Sequence, residues 1–295
     1  MKYVVIGATG QTGHIVAEEL LKSGNAVRAV GRSADKLEKL GKLGAEVFVG
    51  DVTNADDMKR AFDGTEAAYV MIPPNYAAAD FRKYQEEATD NFADAISTGG
   101  TKYIVSLSSV GANHSSGVGP INGLYYFERQ LDGIPDLNTL HLRAGFFMEN
   151  FFGSIGMVKT QGIYGAPVPG DLPWPVIATA DIGHYASSRL KALNFSGKNV
   201  QYLLGARDVS GEEVANILGK TFGLQNVPYV EFTIEDMKKG MMSAGIPENA
   251  ADLYCEMYDG FKNGLLDYHR DAESTTKTKF EDFAEHALKP AFAAM

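Results

Sequence analysis

The sequence has very little cysteine: one residue, Cys255, in a chain of 295. A single thiol excludes an internal disulfide and any thiolate-rich metal site. The six histidines are never spaced as zinc ligands are, so we expect no bound metal. No apolar run approaches the roughly 20 residues of a membrane helix, and the first residues resemble a strand rather than a signal peptide. We therefore expect a cytoplasmic protein without membrane association.

Positive charge is also scarce. The chain has 27 Lys and Arg against 37 Asp and Glu, a net charge of −10, which disfavours nucleic-acid binding because phosphate backbones are repelled. With 45% hydrophobic and 22% charged residues, the composition is that of a folded globular protein. The Gly-x-Ser-x-Gly motif of hydrolases and the Gly-x-x-x-x-Gly-Lys phosphate loop are both missing from the sequence.

What is present is an alternation of short apolar runs with helix-like segments. Strands spaced by helices of 10–15 residues predict right-handed crossovers and an α/β fold with a doubly wound parallel sheet. The predicted strands are 3–6, 26–30, 46–49, 67–72, 102–107 and 138–142, and the first predicted helix covers 12–23.

The pattern loosens after residue 150, where glycine and proline accumulate over 160–175. We expect a helix capped by Asp181, a strand at 199–204, and a helix over 212–222 opened by a capping box of Ser210 and Glu213. The last 65 residues are predicted to be mostly helical. The predicted units are a sheet domain over 1–150 and a smaller, partly interwoven α+β lobe over 151–295, with some segments returning to the sheet.

A glycine-rich loop follows the first strand directly. Gly7, Gly10 and Gly13 form Gly-x-x-Gly-x-x-Gly between a strand and a helix, the context that a dinucleotide-binding loop requires. The first glycine permits the tight turn, the second lets backbone approach a pyrophosphate, and the third lets the helix pack on the strand. The sequence therefore predicts a Rossmann-type fold over 1–150, with a cofactor-binding loop that also includes Thr9, Gln11 and Thr12.

The residue after the second strand indicates which dinucleotide is bound. NAD sites usually carry an acidic residue there, whereas this chain has Arg32, whose guanidinium suits a 2′-phosphate. We therefore predict NADP(H) in preference to NAD(H), with Lys36 as an additional charge. Two alternatives stay open: Arg32 is a solvated loop residue, or Asp35 binds a ribose.

Further cofactor contacts are predicted at the ends of the next two strands. Asp51 and Val52 follow the third strand, where an adenine edge would lie, although Asp51 could equally cap the next helix together with Thr53. Ile72 ends the predicted fourth strand and Pro73 follows it, and the Pro-Pro pair that begins at Pro73 predicts a rigid lip beside the cofactor.

Several segments together resemble the NmrA-like family of atypical short-chain dehydrogenase/reductases. They are 5–13, 30–33, 49–52, 107–112 and 142–150, and the resemblance covers roughly residues 1–210. The family usually has Arg-Pro-Gly where this chain has Arg143-Ala144-Gly145. The resemblance implies NAD(P) binding. It leaves two functions open, because some members are NADPH-dependent quinone reductases and others are non-catalytic redox sensors that regulate a partner protein.

Short-chain reductases typically combine a serine with Tyr-x-x-x-Lys, and the nearest equivalent here is Ser108 with Tyr125 and Arg129. Tyr125 and Arg129 are four residues apart and share a helix face if that segment is helical. Arginine can hold charge near a ribose but cannot relay a proton. We predict these as the catalytic residues, with Arg129 also a cofactor contact; the alternative is that the tyrosine packs the helix and the serine ends a strand.

Aromatic residues supply the predicted substrate site. Phe146 and Phe147 follow the sixth strand, where open α/β sheets bind ligands, and are predicted beside the nicotinamide. The residues predicted to line a cleft for a flat, conjugated acceptor are Phe81, Tyr84, Phe147 and Trp174, and ordinary packing is the alternative for each. The predicted function is hydride transfer from NADPH to a small quinone-like or carbonyl acceptor. The alternative is an NADP(H) sensor with a protein partner. The sequence predicts no oligomeric state.

Overall fold

The computed structural model describes residues 2–295 and has the predicted α/β architecture. Its strands are β1 (Lys2–Val5), β2 (Ala26–Gly31), β3 (Glu46–Val49), β4 (Ala67–Val70), β5 (Tyr103–Ser109), β6 (Asn138–Ala144), β7 (Phe146–Phe147), β8 (Tyr164–Ala166), β9 (Pro173–Ile177), β10 (Lys198–Leu203), β11 (Asp208–Ser210) and β12 (Tyr229–Glu231). Its α-helices are α1 (Gln11–Lys22), α2 (Ala34–Lys42), α3 (Ala55–Phe62), α4 (Phe81–Gly99), α5 (Ile121–Asp132), α6 (Ile155–Gln161), α7 (Thr179–Ala192), α8 (Gly211–Phe222), α9 (Ile234–Ser243), α10 (Glu248–Lys262), α11 (Phe280–Phe283) and α12 (Lys289–Ala294).

Seven parallel strands form the central sheet in the order β10-β6-β5-β4-β1-β2-β3. The order reverses on either side of β1, as in a doubly wound Rossmann-type sheet, so the predicted fold class is confirmed. Helices α1 and α7 pack together against one face, and α3, α4 and α5 cover the other. Because both faces are covered, strands such as β4 are buried throughout.

The chain beyond residue 150 contributes both to this sheet and to a separate core. Strand β10 pairs with β6 and returns to the sheet edge. Strands β11, β9 and β7 form a three-stranded sheet, and β12 pairs with β8. These small sheets and α8 enclose a third apolar core around Phe151, Leu218 and Phe280. The division of the chain into two units at residue 150 stays a prediction.

The predicted boundaries need correction in three places. Strand β4 ends at Val70, two residues early, because the chain leaves the sheet ahead of the Pro-Pro pair. Strands β5 and β6 run two residues further than predicted. Asp181 is not a cap: α7 begins at Thr179 after Ala178, and the Asp181 carboxylate instead accepts hydrogen bonds from Thr276 and Thr278.

The predicted capping box is confirmed at the start of α8, where Glu213 N donates to Ser210 Oγ and Ser210 N to the Glu213 carboxylate. No helix between residues 2 and 295 is both long and apolar enough to cross a membrane.

Candidate coenzyme and acceptor cleft

The glycine-rich loop has the local geometry that a pyrophosphate needs. Gly7 has a φ of +68°, a conformation that glycine adopts without strain. A Cβ on Gly13 would overlap the carbonyl oxygen of Gly7, so the first turn of α1 can approach the loop only without a side chain. Gly10 is the N-cap and provides no side-chain cap within the described structure. The amides at the start of α1 are therefore available to an anion, which the helix dipole also favours.

A cleft of about 630 Å³ crosses the carboxyl edge of the central sheet above this loop. It lies where open α/β sheets bind their ligands, outside the carboxyl ends of the strands. The predicted site residues that it brings together are Gly7, Thr9, Gly10, Gln11, Thr12, Arg32, Val52, Ile72, Pro73, Phe81, Tyr84, Ser108, Phe146 and Phe147. Five others do not line it, namely Gly13, Asp51, Tyr125, Arg129 and Trp174.

Arg32 is the one charged side chain among the described residues that line the cleft. It is exposed at the end of β2 and, within residues 2–295, has no hydrogen bond or ion pair. Tyr84 lies near it, with its hydroxyl donating to the Pro73 carbonyl at 2.7 Å. Burial raises the pKa of Tyr84 to about 12, while the charge of Arg32 opposes the shift and that of Asp51 adds to it. A free guanidinium thus marks the β2 side of the cleft.

Asp51 lies beside the cleft and is engaged in a local turn. Its Oδ1 accepts from the amide and from the hydroxyl of Thr53, both at 2.9 Å, while its own amide donates to Asp57. Asp51 does not cap the next helix, which was the alternative prediction: the N-cap of α3 is Asn54, whose side chain accepts a hydrogen bond from Asp57 N. The turn leaves Val52 buried in the cleft wall.

Helix α5 presents a different face to the cleft from the one that holds Tyr125 and Arg129. Ile121 and Leu124 line the cleft, whereas Arg129 is exposed outside it. Phe127 is fully buried against the sheet and fixes the rotation of the helix. Because each helical residue turns by about 100°, a displacement of one residue moves a side chain to another face. Leu124 therefore takes the cleft-facing position on α5. Glu128, four residues further on, is buried beneath the cleft wall and bonds to Ser108 of β5.

Glu128 belongs to a buried polar network that the sequence analysis missed. Its carboxylate accepts from Ser108 Oγ at 2.6 Å and, through both oxygens, from Arg143 at 3.0 and 2.6 Å. Burial acts to lower the pKa of Arg143, but the hydrogen bonds and charge of Glu128 outweigh it and raise that pKa above its usual value. The two side chains thus form an ion pair beneath the cleft wall. The sequence feature that could have revealed this network is a glutamate on the side of the helix that faces the sheet.

The half of the cleft beyond β4 is lined mainly by apolar and aromatic side chains. Tyr76 stacks on Phe81 with ring centroids 5.9 Å apart, and Tyr254 of α10 donates a hydrogen bond to the Tyr76 hydroxyl. Met257, one turn further along α10, also lines this half. None of these three, Tyr76, Tyr254 and Met257, was predicted. Tyr254 and Met257 lie on α10, which is far along the chain from the predicted site residues.

Trp174, predicted as a substrate contact, lies elsewhere. It is 6% exposed in the core behind the cleft, with its ring 5.6 Å from that of Phe261. Strand β9 points the side chain inward, away from the ligand surface.

The family follows from a comparison with known proteins. The model of the NmrA-like family matches residues 2–287, nearly the whole chain. The chain belongs to the NmrA-like family. The resemblance over roughly 1–210 is thus confirmed and extends further than the sequence motifs indicated.

Named relatives of this NmrA-like protein are reductases. The NAD(P)H azoreductase of Xenophilus azovorans is 28% identical over 298 residues, covering 99% of each chain. Quinone oxidoreductase 2 of Escherichia coli (strain K12) is 27% identical over 269 residues, covering 89% of each. The prediction of an oxidoreductase is confirmed by these relatives.

Solved structures share the fold. The NADPH-dependent quinone oxidoreductase of Escherichia coli, complexed with NADPH, superposes with a TM-score of 0.81 at 22% identity, covering 98% of this chain and 100% of that one. The Citrobacter sp. triphenylmethane reductase, complexed with NADP(H), gives a TM-score of 0.80 at 21% identity over the same shares.

The protein also contains a buried row of hydrogen-bonded serine, histidine and aspartate side chains that do not line the cleft. His141 lies between Ser106 Oγ, 2.6 Å from Nδ1, and Asp132 Oδ1, 2.9 Å from Nε2. An ionised carboxylate only accepts, so the bond to Asp132 is donated by Nε2–H. Ser106 and His141 are fully buried, so this arrangement ties β5 and β6 to α5 rather than reaching a ligand.

Proposed function

We propose that this protein is an NADPH-dependent reductase that delivers hydride to a small, flat, electrophilic acceptor of the quinone class. The observation that carries the proposal is the unpaired Arg32 guanidinium at one end of a cleft whose centre is the glycine loop. The residues present fit NADP(H): backbone amides of α1 suit the pyrophosphate, and Arg32 suits a 2′-phosphate. When bound, the coenzyme supplies a hydride.

The acceptor half supports the choice of acceptor class. Among the described residues that line it, none is a histidine, a lysine or a carboxylate. On α5, the side chain that faces the cleft is Leu124 and not the neighbouring Tyr125, the predicted catalytic tyrosine. Tyr254 already donates its proton to Tyr76, and burial raises the pKa of Tyr254 above its usual value. The Tyr76 hydroxyl keeps its own proton, but the described lining of this half has no charged side chain to favour the release of that proton. A simple ketone needs a proton donor as hydride arrives, whereas a quinone yields a stabilised anion that water protonates. Apolar walls likewise suit a flat conjugated ring.

The relatives point in the same direction. One is named as an NAD(P)H azoreductase and another as a quinone oxidoreductase. Azo compounds and quinones are both conjugated acceptors. The proposed preference for NADP(H) over NAD(H) rests on Arg32. A charge-assisted contact worth about 1.5–3 kcal/mol corresponds to a preference of about 10- to 100-fold.

NADPH oxidation at 340 nm tests the proposal directly. We expect turnover with menadione and with benzoquinone, slower turnover with NADH, and none with cyclohexanone as the matched simple ketone. Absence of turnover with every quinone at high enzyme concentration would refute the reductase function.

The redox sensor stays the alternative hypothesis, and it rests on the missing tyrosine–lysine pair at the cleft. Pull-downs in NADP⁺ and in NADPH would distinguish it, since a sensor retains different proteins in the two states. The predicted cytoplasmic location likewise stays a prediction.

A further inference from the structure

Ser108 is a cleft residue whose hydrogen-bonding direction the structure fixes. It lies near the carboxyl end of β5, is 3% exposed and lines the cleft. Its Oγ lies 2.6 Å from Glu128 Oε1, a short charge-assisted distance. Both oxygens of the Glu128 carboxylate also accept hydrogen bonds from the Arg143 guanidinium, and a carboxylate in such an ion pair only accepts. The serine proton must therefore lie on the line to Glu128, inside the wall.

A hydroxyl whose proton is committed in this way has only lone pairs left for a ligand. Toward the cleft, Ser108 is then an acceptor and cannot donate to a carbonyl oxygen. A serine that assists reduction of a carbonyl would have to donate a hydrogen bond to it, and Ser108 has the opposite role. Glu128 acts here as a positioning residue, since it reaches the ligand only through Ser108.

The position of Ser108 relative to Arg32 indicates which part of a ligand it meets. Arg32 follows β2 on one side of β1, and Ser108 belongs to β5 on the other side, beyond β4. A dinucleotide lying across the glycine loop with its 2′-phosphate at Arg32 has its nicotinamide on the β4–β5 side. Ser108 therefore lies in the half where the nicotinamide and the acceptor would meet.

We propose that Ser108 Oγ, oriented by Glu128 and Arg143, is a specificity-determining acceptor for an N–H or O–H donor on the ligand in this half of the cleft. The proposal rests on the proposed function. Two sources offer that chemistry: the carboxamide N–H of the nicotinamide, and an amino or hydroxyl substituent of the acceptor. Two arms of one experiment separate them, with Ser108→Ala as the variant.

The coenzyme arm measures binding without turnover. Calorimetry compares NADPH with its 3-acetylpyridine analogue, which lacks the amide N–H. If the carboxamide is the donor, Ser108→Ala weakens NADPH binding by about 5- to 10-fold and leaves the analogue within about 2-fold, as for one lost hydrogen bond.

The acceptor arm measures KM for 2-amino-1,4-naphthoquinone against its 2-dimethylamino counterpart. If the acceptor is the donor, Ser108→Ala raises KM for the amino compound by about 5- to 10-fold and leaves the dimethylamino compound unchanged. In each arm the measured ratio is the value for the ligand with the N–H donor divided by the value for the ligand without it. In the arm that responds, Glu128→Gln shifts this ratio in the same direction as Ser108→Ala, because the glutamine amide no longer fixes the serine proton.

A change in the ratio in either arm supports the proposal and identifies the source. Unchanged ratios in both arms would overturn it. Tyr126→Phe is the matched control on α5, since its hydroxyl donates to Asp90 outside the cleft, and it should leave both ratios as in the wild type. Failure of the wild type to oxidise NADPH with any quinone would count against the proposed function alone, because the coenzyme arm still reports on Ser108.

Discussion

The two halves of the cleft are built in different ways. The coenzyme half is formed largely by one continuous stretch, residues 7–12, together with Arg32 at the end of the next strand. The acceptor half is formed by side chains from segments scattered between Tyr76 and Met257, supported from beneath by buried polar groups. The first half depends on the absence of side chains, and the second on their identity and packing.

This difference determines how each half responds to change. The glycine-rich loop is sensitive to an added side chain at Gly13, because a Cβ there would overlap the backbone of Gly7. The acceptor half tolerates changes of shape at its apolar wall but is sensitive to loss of the buried charges that support it. The predictions below separate the halves by measuring stability, coenzyme affinity and acceptor KM independently.

The largest expected effect concerns the support of the acceptor half. Arg143→Leu leaves the Glu128 carboxylate buried without its cationic partner, which should lower the free energy of unfolding by about 3–5 kcal/mol in urea denaturation. Arg207→Leu is the control, because its ion pairs with Glu213 and Glu281 are half-exposed and should cost under about 1 kcal/mol. Equal losses for the two variants would contradict the account.

The next effect concerns the coenzyme half. Gly13→Ala should weaken NADPH binding by about 100-fold or more, or about 2.7 kcal/mol, because its Cβ overlaps Gly7 O and displaces the loop from α1. Gly153→Ala, where no atom lies within 4 Å of the added Cβ, should bind as the wild type does. Calorimetric titration of both variants checks this, and undiminished affinity in Gly13→Ala would show that the loop does not hold the coenzyme.

Arg32→Ala should weaken NADPH binding by about 10- to 100-fold, or 1.5–3 kcal/mol, and change NADH binding by less than about 2-fold. Arg129→Ala removes the same charge from an exposed position outside the cleft and should change neither affinity. Fluorescence titration with both coenzymes gives the values. A parallel loss for NADPH and NADH would place Arg32 away from the 2′-phosphate.

Leu124→Ala tests the acceptor half alone. Removing part of the apolar wall should raise KM for menadione by about 3- to 10-fold, as expected for 0.7–1.4 kcal/mol of lost apolar contact, while leaving the NADPH dissociation constant unchanged. Tyr125→Phe, on the neighbouring face, should change neither value. The reverse result, an effect at Tyr125 and none at Leu124, would restore the pairing of Tyr125 with Arg129.

The smallest expected effect is on acid stability. Burial acts to raise the pKa of Asp132, but hydrogen bonds from His141 and Thr139 outweigh it, so the folded state has the lower pKa. Such a group stabilises the fold above its unfolded pKa, and that stability is lost as pH falls below about 4. Asp132→Asn should therefore flatten the decline in thermal stability below that pH. Asp35→Asn, at an exposed position, should leave the decline unchanged.

The sequence revealed the glycine-rich loop and its place between a strand and a helix for a physical reason. Gly7, Gly10 and Gly13 are constrained by backbone geometry, which is local and leaves a fixed spacing in the chain. The alternating strands and helices reveal the parallel sheet in the same way. The NmrA-like motifs then supported the same assignment.

The acceptor half could be predicted only in part, because its residues meet through packing: Phe81, Tyr84 and Phe147 do line the cleft, whereas other residues were missed or misplaced. The rotation of α5 is set by Phe127 against the sheet, so the choice between Tyr125 and Leu124 depends on a contact that spacing does not show. Trp174 lies behind the cleft because of the side of β9 on which it falls. Tyr254 reaches the site from a helix more than 100 residues beyond β6.

Titration of the wild-type protein with NADPH and with NADH, in the same calorimeter at the same ionic strength, tests the central claim most directly. The account predicts about 10- to 100-fold tighter binding of NADPH, because Arg32 adds a charge-assisted contact to the extra phosphate. Equal affinities would contradict the role of Arg32, and no heat with either coenzyme would contradict the glycine loop as a coenzyme site.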